Sequence, residues 1–343
     1  MKASAILIIY TGGTIGMKQD PMDQTLKPFD FSQIADEVPE LRKFAVRIDA
    51  YTFDPLIDSS DVEPSLWTRL AHLVRDRYDD YDGFVILHGT DTMAYSASAL
   101  SFMLEGLTKP VIFTGSQLPI GVPRTDGKEN LISAVEIAAA ADEDGHALVP
   151  EVSIFFDSVL IRGNRATKLS AEAFNAVASP DCPPLAEAGI RIRYNRGVIR
   201  YPDDWNRPLK VHDRLDTRVA ILKVHPGITP ELVTVFLLAP EIRAVILETY
   251  GSGNAITRPW FLSLVREAGK TKAIVNVTQC KSGSVNMDIY ATGRTLKLAG
   301  VVSGYDVTTE AALGKLFVLL GENPDNEAVK NRFGEDLCGE ISK

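Results

Sequence analysis

The stretch that decides the fold is residues 5–16, which have the sequence AILIIYTGGTIG. Its first part, residues 5–10, is a short apolar run rich in β-branched side chains, which is typical of a buried strand. Further runs of this kind occur at residues 83–87, 111–114 and 152–156. Helical patterns between them, at residues 91–104 and 126–141, predict βαβ units and a mainly parallel sheet.

The same alternation returns in the second half of the chain after a break. Residues 191–212 have several arginines and prolines and no clean helical period, so we expect an extended connection there. Beyond it we predict strands at residues 219–224, 244–247 and 273–277, and helices at residues 230–238, 259–268 and 308–320. The sequence therefore predicts a two-domain α/β fold, with a larger N-terminal flavodoxin-like or Rossmann-like sheet in residues 1–190 and a smaller C-terminal α/β domain in residues 213–343.

Composition and charge exclude several classes of function. The 343 residues carry a formal net charge of −9 without any long basic run, which argues against nucleic acid as a partner. No apolar run reaches the roughly 18–20 residues of a membrane span, so we expect no membrane partner. The three cysteines, Cys182, Cys280 and Cys338, are far apart and form no metal-binding pair, which favours a reducing, cytoplasmic compartment and no metal site.

The glycines after the first strand allow the backbone to approach a ligand closely. Residues 11–16, TGGTIG, follow the strand directly, and the carboxyl ends of such strands are where ligands bind. A dinucleotide site needs the spacing G-x-G-x-x-G, which the adjacent Gly12 and Gly13 do not provide. A phosphate-binding loop of the form G-x-x-x-x-G-K-[ST] is also missing from the sequence. The remaining alternatives are a ligand-binding loop and a simple tight turn.

A second polar cluster, residues 88–92 with the sequence HGTDT, separates a predicted strand from a predicted helix. The free N–H groups of a helix start can bind a carboxylate or a developing oxyanion. The alternative is a helix cap made by Asp91 or Thr92. Two further clusters have similar alternatives: Lys168 is either a buried catalytic lysine beside Thr90 and Asp91 or a surface lysine, and residues 58–61, DSSD, are either a binding loop or a polar turn.

These clusters resemble the motifs of the bacterial L-asparaginases. Residues 5–16 and 83–93 resemble the two signature motifs of that family, and further similar segments lie at residues 58–61, 114–117, 164–168, 251–254 and 278–283. The segments DSSD and TQC, at residues 58–61 and 278–280, resemble the cytoplasmic type I branch. The resemblance covers nearly the whole chain and implies hydrolysis of L-asparagine to L-aspartate and ammonia without a cofactor or metal.

The resemblance also implies roles for individual residues. Thr14 matches the nucleophile that forms a β-aspartyl ester, and Thr90, Asp91 and Lys168 match a second triad that moves protons and activates water. The residues that match the substrate-binding set are Asp58, Ser59, Ser60, Gly89, Thr90, Asp91 and Ser116. A zwitterionic substrate must be held at both charges before its amide is placed for attack. The family also implies a homodimer or homotetramer.

Two positions depart from the family pattern. The loop at residues 18–28 has no tyrosine to bond the nucleophile, and Leu26 stands at the nearest matching position. Some type I enzymes bind asparagine at a regulatory site that includes an arginine, and Glu248 stands at the matching position here. A carboxylate cannot bind the effector's carboxylate as a guanidinium does, so we expect no activation by asparagine.

Three other functions remain as alternatives. A broader glutaminase-asparaginase differs only in accepting one more methylene, which is worth about 1–3 kcal/mol of discrimination. A non-catalytic amino-acid sensor would keep Ser59 to bind the amino acid. It would not need Thr14, Thr90, Asp91 and Lys168 together. A nucleotide-binding protein is disfavoured by the glycine spacing.

Overall fold

A computed structural model describes residues 4–19, 26–28 and 37–342. The chain divides into two compact units, Met1–Val211 and His212–Lys343. Among the described residues, the α-helices are α1 (Pro64–Asp76), α2 (Met93–Met103), α3 (Gly127–Ala139), α4 (Pro230–Leu238), α5 (Pro259–Gly269), α6 (Ala291–Leu298), α7 (Thr309–Glu322) and α8 (Asn326–Phe333). The strands of the first unit are β1 (Ser4–Tyr10), β2 (Met17–Gln19), β3 (Leu26–Pro28), β4 (Val46–Thr52), β5 (Gly83–Leu87), β6 (Leu104–Glu105), β7 (Val111–Thr114), β8 (Val152–Phe156), β9 (Val159–Arg162), β10 (Thr167–Lys168), β11 (Val177–Ala178), β12 (Ala186–Ala188), β13 (Ile192–Tyr194) and β14 (Lys210–Val211).

The first unit is organised by an eight-stranded sheet of order β13-β12-β9-β8-β7-β5-β1-β4. The neighbours from β4 to β8 are parallel, and those from β8 to β13 are antiparallel. If the strands of the parallel part are numbered along the chain, their order is 2-1-3-4-5, as in flavodoxin-like folds. The predicted fold class is confirmed, and the order of strands reverses between β1 and β5.

The central strands owe their apolar sequences to burial on both faces. Every residue of β5 and β7 is buried, as are residues 5–10 of β1. Helix α3 places Leu131, Ala134 and Val135 in the same core cluster as residues of β1, β5 and β7. Covering helices and continuous apolar strands are what a parallel sheet requires, which explains why these strands were predicted with nearly the observed bounds.

The antiparallel end of the large sheet was not predicted as strands. Strand β12 pairs with β9 and with β13, and β13 lies within residues 191–212, where we expected an extended connection. Strand β13 alternates half-buried and exposed residues, so it has no continuous apolar run.

The second unit has its own sheet and core. Strands β15 (Val219–Lys223), β16 (Ala244–Thr249), β17 (Ala273–Thr278) and β18 (Val302–Ser303) form a parallel sheet in that order. Its core joins residues such as Val245, Leu247 and Ile274 of the strands to Phe261 and Val265 of α5. None of the helices in the described part of the chain has the length and apolar character needed to cross a lipid bilayer.

Candidate active site

The point where the strand order reverses, between β1 and β5, brings the two polar clusters together. Strands β1 and β5 are parallel neighbours, with Tyr10 opposite Leu87, so the segments that follow them emerge at the same edge of the sheet. The N–H of Thr11 donates to the carbonyl of Leu87 (3.0 Å) and continues the pairing into the loop. Ligands of doubly wound α/β proteins bind at this reversal point.

Glycine at two positions allows the loop after β1 to reach its neighbours. Gly13 has φ 91°, and a Cβ added there would lie 2.6 Å from the backbone N of Gly89. Gly12 has φ 138°, and its added Cβ would lie 2.1 Å from the carbonyl oxygen of Ile57. A side chain at either position would separate the loops after β1, β4 and β5. The alternative of a simple tight turn does not account for these contacts.

Thr14 begins a short 3₁₀ helix, Thr14–Gly16, directly after the two glycines. It is half-buried. The backbone contact between Gly13 and Gly89 therefore places the segment that carries Thr14 against the segment that carries Thr90.

Tyr10 lies beneath this loop and was not predicted as a site residue. Its ring is fully buried, and its hydroxyl donates to the carbonyl of Gly13 (3.3 Å). Burial raises the pKa of Tyr10, so the hydroxyl stays protonated and acts as a donor. A Cβ at Gly16 would collide with this ring, which explains the third glycine of the segment. The sequence could have indicated Tyr10, because a tyrosine stands at the last position of an otherwise apolar strand.

The loop in which the family has a tyrosine is described only in part. Strand β2 pairs antiparallel with β3, and Gln19 lies opposite Leu26. Residues 20–25 lie outside the described residues.

The central contact of the site joins Lys168 to Thr90 and Asp91. Lys168 Nζ donates to Thr90 Oγ1 (3.0 Å) and to Asp91 Oδ1 (2.6 Å). Lys168 lies on β10 and its side chain is 21% exposed, whereas the Asp91 side chain is 61% exposed. The ammonium is therefore held between a hydroxyl and a carboxylate that also faces solvent. Lys168 is not an unpartnered surface lysine, and it is less buried than we expected.

The helix-cap alternative for residues 91 and 92 is wrong. Thr92 is the N-cap of α2, but its side chain makes no capping hydrogen bond. Its hydroxyl donates instead to the carbonyl of Ser59 (2.6 Å). The carboxylate of Asp91 accepts from Lys168 rather than from the helix. These polar side chains connect three segments of the chain instead of accepting hydrogen bonds from the free N–H groups in the first turn of α2.

The loop at residues 58–61 forms a polar turn that also reaches the site. Ser59 is buried, and a Cβ added at Gly89 would lie 2.5 Å from Ser59 Oγ. Asp58 and Ser60 are exposed and bond each other, because Asp58 Oδ1 accepts from the N–H and the hydroxyl of Ser60 (both 2.9 Å). These two hydrogen bonds lower the pKa of Asp58. The structure therefore brings Ser59, Gly89, Thr90, Asp91 and Lys168 together, with Asp58 and Ser60 at the rim of that loop.

Ser116 lies in the loop after β7. It follows Gly115, at which an added Cβ would lie 2.5 Å from the carbonyl oxygen of His88. Ser116 is buried, and no group in the described part of the chain forms a hydrogen bond with its Oγ. A buried hydroxyl without a partner costs about 1–3 kcal/mol, a cost that a bound ligand can remove.

His88 holds the backbone of the polar segment. Its Nδ1 lies 2.7 Å from the carbonyl of Gly89, so Nδ1 carries the proton and donates. Its Nε2 then accepts from the hydroxyl of Ser96 (2.9 Å), which in turn accepts from Trp67 Nε1 (2.9 Å). Burial lowers the pKa of His88 to about 4, and the imidazole is neutral near pH 7. His88 therefore acts as a fixed hydrogen-bonding group.

A possible metal-ligand group lies at the opposite edge of the sheet. Among the described residues, Asp142, Asp144 and His146 place one ligand atom each within 4.8 Å of one another. They belong to the connection that leads into the start of β8. Asp142 Oδ1 already accepts from the N–H groups of Asp144 (3.0 Å) and His146 (2.8 Å). This group is part of a surface turn and has no connection with the Thr90–Lys168 contact.

Comparison with known proteins covers the whole chain. The asparaginase N-terminal family model matches residues 5–200, and the glutaminase/asparaginase C-terminal domain model matches residues 218–333. L-asparaginase 1 of Escherichia coli strain K12 is 43% identical over 100% of this chain and 99% of that protein. The 60 kDa lysophospholipase of Homo sapiens is 40% identical over 98% of this chain, but the match covers 61% of that protein.

A solved structure shows the same likeness in three dimensions. The crystal structure of L-asparaginase I from Vibrio cholerae aligns with this structure with a TM-score of 0.90, and the two sequences are 42% identical. The match covers 99% of this chain and 100% of that chain. The likeness therefore includes the order of both units as well as the signature segments. With two family models and a full-length relative in agreement, the chain belongs to the asparaginase family.

Proposed function

We propose that this protein hydrolyses the side-chain amide of L-asparagine, giving L-aspartate and ammonia through an ester on Thr14. One observation carries the proposal: Lys168 Nζ binds both Thr90 Oγ1 (3.0 Å) and Asp91 Oδ1 (2.6 Å) beside the loop of Thr14. Membership of the asparaginase family and full-length likeness to L-asparaginase 1 of Escherichia coli support it.

In the first step, Thr14 Oγ attacks the amide carbon of the substrate and forms a tetrahedral intermediate. The C–N bond then breaks, and the amide nitrogen leaves as ammonia after taking up the proton lost by Thr14. The carboxylate of Asp91, held by Lys168 at 2.6 Å, carries that proton from Thr14 to the nitrogen. The backbone N–H groups near Thr90 stabilise the oxyanion.

In the second step, water replaces ammonia. Thr90 Oγ1, held by Lys168 at 3.0 Å, accepts a hydrogen bond from a water molecule and orients it toward the ester carbon, and the proton that the water loses as the C–O bond forms goes to the Thr14 oxygen. The bond between the carbonyl carbon and Thr14 Oγ breaks, Thr14 recovers its proton, and L-aspartate leaves. The sum is asparagine plus water giving aspartate plus ammonia.

The substrate is held at its two charges. Asp91, whose side chain is 61% exposed, binds the α-ammonium group. Ser59 and Ser60 bind the α-carboxylate, Asp58 contributes to binding of the α-ammonium group, and Gly89 lines the space between them. Ser116 supplies its buried, unpartnered hydroxyl to the ligand. Fixing both ends aligns the amide carbon with Thr14.

A non-catalytic sensor of amino acids is less well supported. A binding site for a zwitterion needs the clamp around Ser59 and Asp91, but it does not need an ammonium on the hydroxyl of Thr90. The contact of Lys168 with that hydroxyl therefore favours catalysis.

We also propose a cytoplasmic location and assembly as a homodimer or homotetramer. The three cysteines, Cys182, Cys280 and Cys338, form no disulfide among the described residues, which fits a reducing compartment. The assembly follows from the family resemblance, and the oligomer size would be measured by light scattering.

The proposal is tested by ammonia release from L-asparagine and L-glutamine, measured side by side with a chelator present. We expect steady release from asparagine, and the ratio of kcat/KM for the two amides separates an asparaginase from a glutaminase-asparaginase. Thr14→Ala should bind asparagine and release no ammonia above background. Turnover by a folded Thr14→Ala protein would refute the assignment of the nucleophile.

A further inference from the structure

Gln117 is fixed in place by a second carboxylate at the edge of the site. It follows Ser116 in the loop after β7, and its backbone N–H lies 3.1 and 3.0 Å from the two carboxylate oxygens of Asp126. Asp126 also accepts from the N–H of Leu118 (3.1 Å). This carboxylate, at the start of α3, therefore sets the position of the backbone from which the Gln117 side chain extends.

The orientation of the Gln117 amide follows from its partners. Nε2 donates to the carbonyl oxygens of Ala171 (3.2 Å) and Ala173 (3.1 Å). Carbonyl oxygens only accept, so the nitrogen of the amide must face them. The amide oxygen is then directed away from them, and Oε1 lies 3.3 Å from Thr90 Oγ1.

The two neighbours of Thr90 determine where its single proton points. Lys168 Nζ carries donors only, so at 3.0 Å it uses a lone pair of Thr90 Oγ1. The hydroxyl proton is therefore directed to Gln117 Oε1. A remaining lone pair of Thr90 is left to accept from a water molecule.

We infer that Gln117 is a positioning residue that orients the hydroxyl of Thr90 for attack of water on the ester intermediate. The inference rests on the proposed function, in which Thr90 activates that water. With the Thr90 proton held by Gln117, the lone pair of Thr90 faces the incoming water instead of rotating among several acceptors. The same amide ties this hydroxyl to the loop after β10, through the carbonyls of Ala171 and Ala173.

The test compares the two halves of the reaction in single-turnover experiments. Gln117→Met keeps the length of the side chain and removes both its acceptor and its donors. We expect release of aspartate to slow about tenfold, the effect of one neutral hydrogen bond, while the first release of ammonia stays within about twofold of wild type. An ammonia burst should then appear before the steady state. Equal slowing of both steps, or no slowing, would overturn the inference.

Two further variants separate orientation from general loosening of the structure. Gln117→Glu keeps an oxygen for the Thr90 proton and loses the donors to Ala171 and Ala173, so aspartate release should be faster than in Gln117→Met. If the two variants are equally slow and folded, anchoring of the loop explains the effect and the inference is wrong. Leu118→Met, the matched control at the neighbouring position, should leave both steps unchanged.

Thr90→Val distinguishes failure of this inference from failure of the proposed function. If Thr90→Val releases aspartate at the wild-type rate, the proposed role of Thr90 is wrong. If Thr90→Val is slow and Gln117→Met is not, the proposed function stands and Gln117 has no positioning role. Melting curves of each variant show whether it is folded. If Gln117→Met does not fold, Gln117→Glu is compared with wild type: aspartate release within about twofold of wild type supports the inference, and release about tenfold slower overturns it.

Discussion

Each of the two units contains a lysine–carboxylate pair, and the surroundings of the two pairs are opposite. Lys168 and Asp91 have side chains that are 21% and 61% exposed, and Lys168 also binds the hydroxyl of Thr90. Lys315 and Glu340 are both 0% exposed. Lys315 Nζ donates further to the carbonyls of Phe333 (2.8 Å) and Glu335 (2.6 Å).

The difference in exposure determines what each pair can do. Glu340 accepts from the N–H groups of Leu337 (3.0 Å) and Cys338 (2.8 Å), so the buried pair uses its hydrogen bonds within the protein and holds the segment after α8. The pair of Lys168 and Asp91 keeps part of its carboxylate open to solvent and can bind a ligand. We therefore expect changes at the first pair to affect turnover and changes at the second to affect stability.

The largest effect is expected from Lys168→Met. The variant removes the ammonium from Thr90 and Asp91 but keeps most of the side chain, so kcat should fall about 10²–10⁴-fold, the range for a group engaged in proton transfer. KM should change much less, because the contact matters most in the transition state. Steady-state ammonia release measures both constants. Lys223→Met, at an exposed lysine that lies 3.7 Å from Glu248, is the matched control and should keep its kcat.

Lys315→Met should lower the free energy of unfolding by about 3–5 kcal/mol, because it leaves the Glu340 carboxylate buried without its counter-charge. Its kcat per folded molecule should stay near that of wild type. Urea denaturation followed by fluorescence measures the loss. The double variant Lys315→Met with Glu340→Gln removes both charges and should be more stable than the single variant; equal or lower stability would show that the pair is not the main source of the effect.

His88 extends the comparison to a buried group whose partners are neutral. Its pKa is about 4 in the folded protein and about 6.5 when unfolded, so the unfolded chain binds one more proton between these values. Stability should therefore fall as pH drops from about 6.5 to 4, by about 3 kcal/mol in all. Urea denaturation at several pH values measures the slope. In His88→Gln the slope should be smaller by about one proton, and an unchanged slope would contradict this explanation.

The smallest effect is expected at Glu248, which forms a lysine–carboxylate pair with Lys223. Glu248 Oε1 accepts from Thr309 Oγ1 (2.7 Å), and Oε2 lies 3.7 Å from Lys223 Nζ. A carboxylate here repels the carboxylate of an asparagine effector, so the rate curve should be hyperbolic with a Hill coefficient of about 1. A sigmoidal curve would contradict this. Glu248→Arg tests the position directly, since gain of cooperativity would show that only the cation was missing.

Most of the strands that the sequence predicted are buried on both faces, because such burial requires a continuous run of apolar residues. The central strands are buried on both faces, so their apolar runs gave bounds close to those observed, and their alternation with helices predicted a mainly parallel sheet. Strand β4 was missed because all of its residues are half-buried or exposed and polar residues interrupt the apolar ones, as Val46, Arg47, Ile48 and Asp49 show. An edge strand of this kind has no continuous apolar run.

The site was predictable to the extent that its residues follow strands. The positions of Thr14, Thr90 and Lys168 came from their motifs, and the contact of Lys168 with Thr90 and Asp91 is as predicted. Gln117 lies in one of the same motifs but was not singled out, because its contacts with Thr90, Ala171 and Ala173 join segments far apart in sequence. Such contacts depend on how loops fold over one sheet edge, which no local pattern specifies.

The central claim is that Thr14 forms the ester and that the contact of Lys168, Thr90 and Asp91 serves its hydrolysis. The most direct measurement is mass spectrometry of Thr90→Val quenched during reaction with L-asparagine. We expect a mass gain of one asparagine minus one ammonia, located on Thr14 by fragmentation and missing in the Thr14→Ala, Thr90→Val double variant. An adduct on another residue, or the same adduct in the double variant, would contradict it.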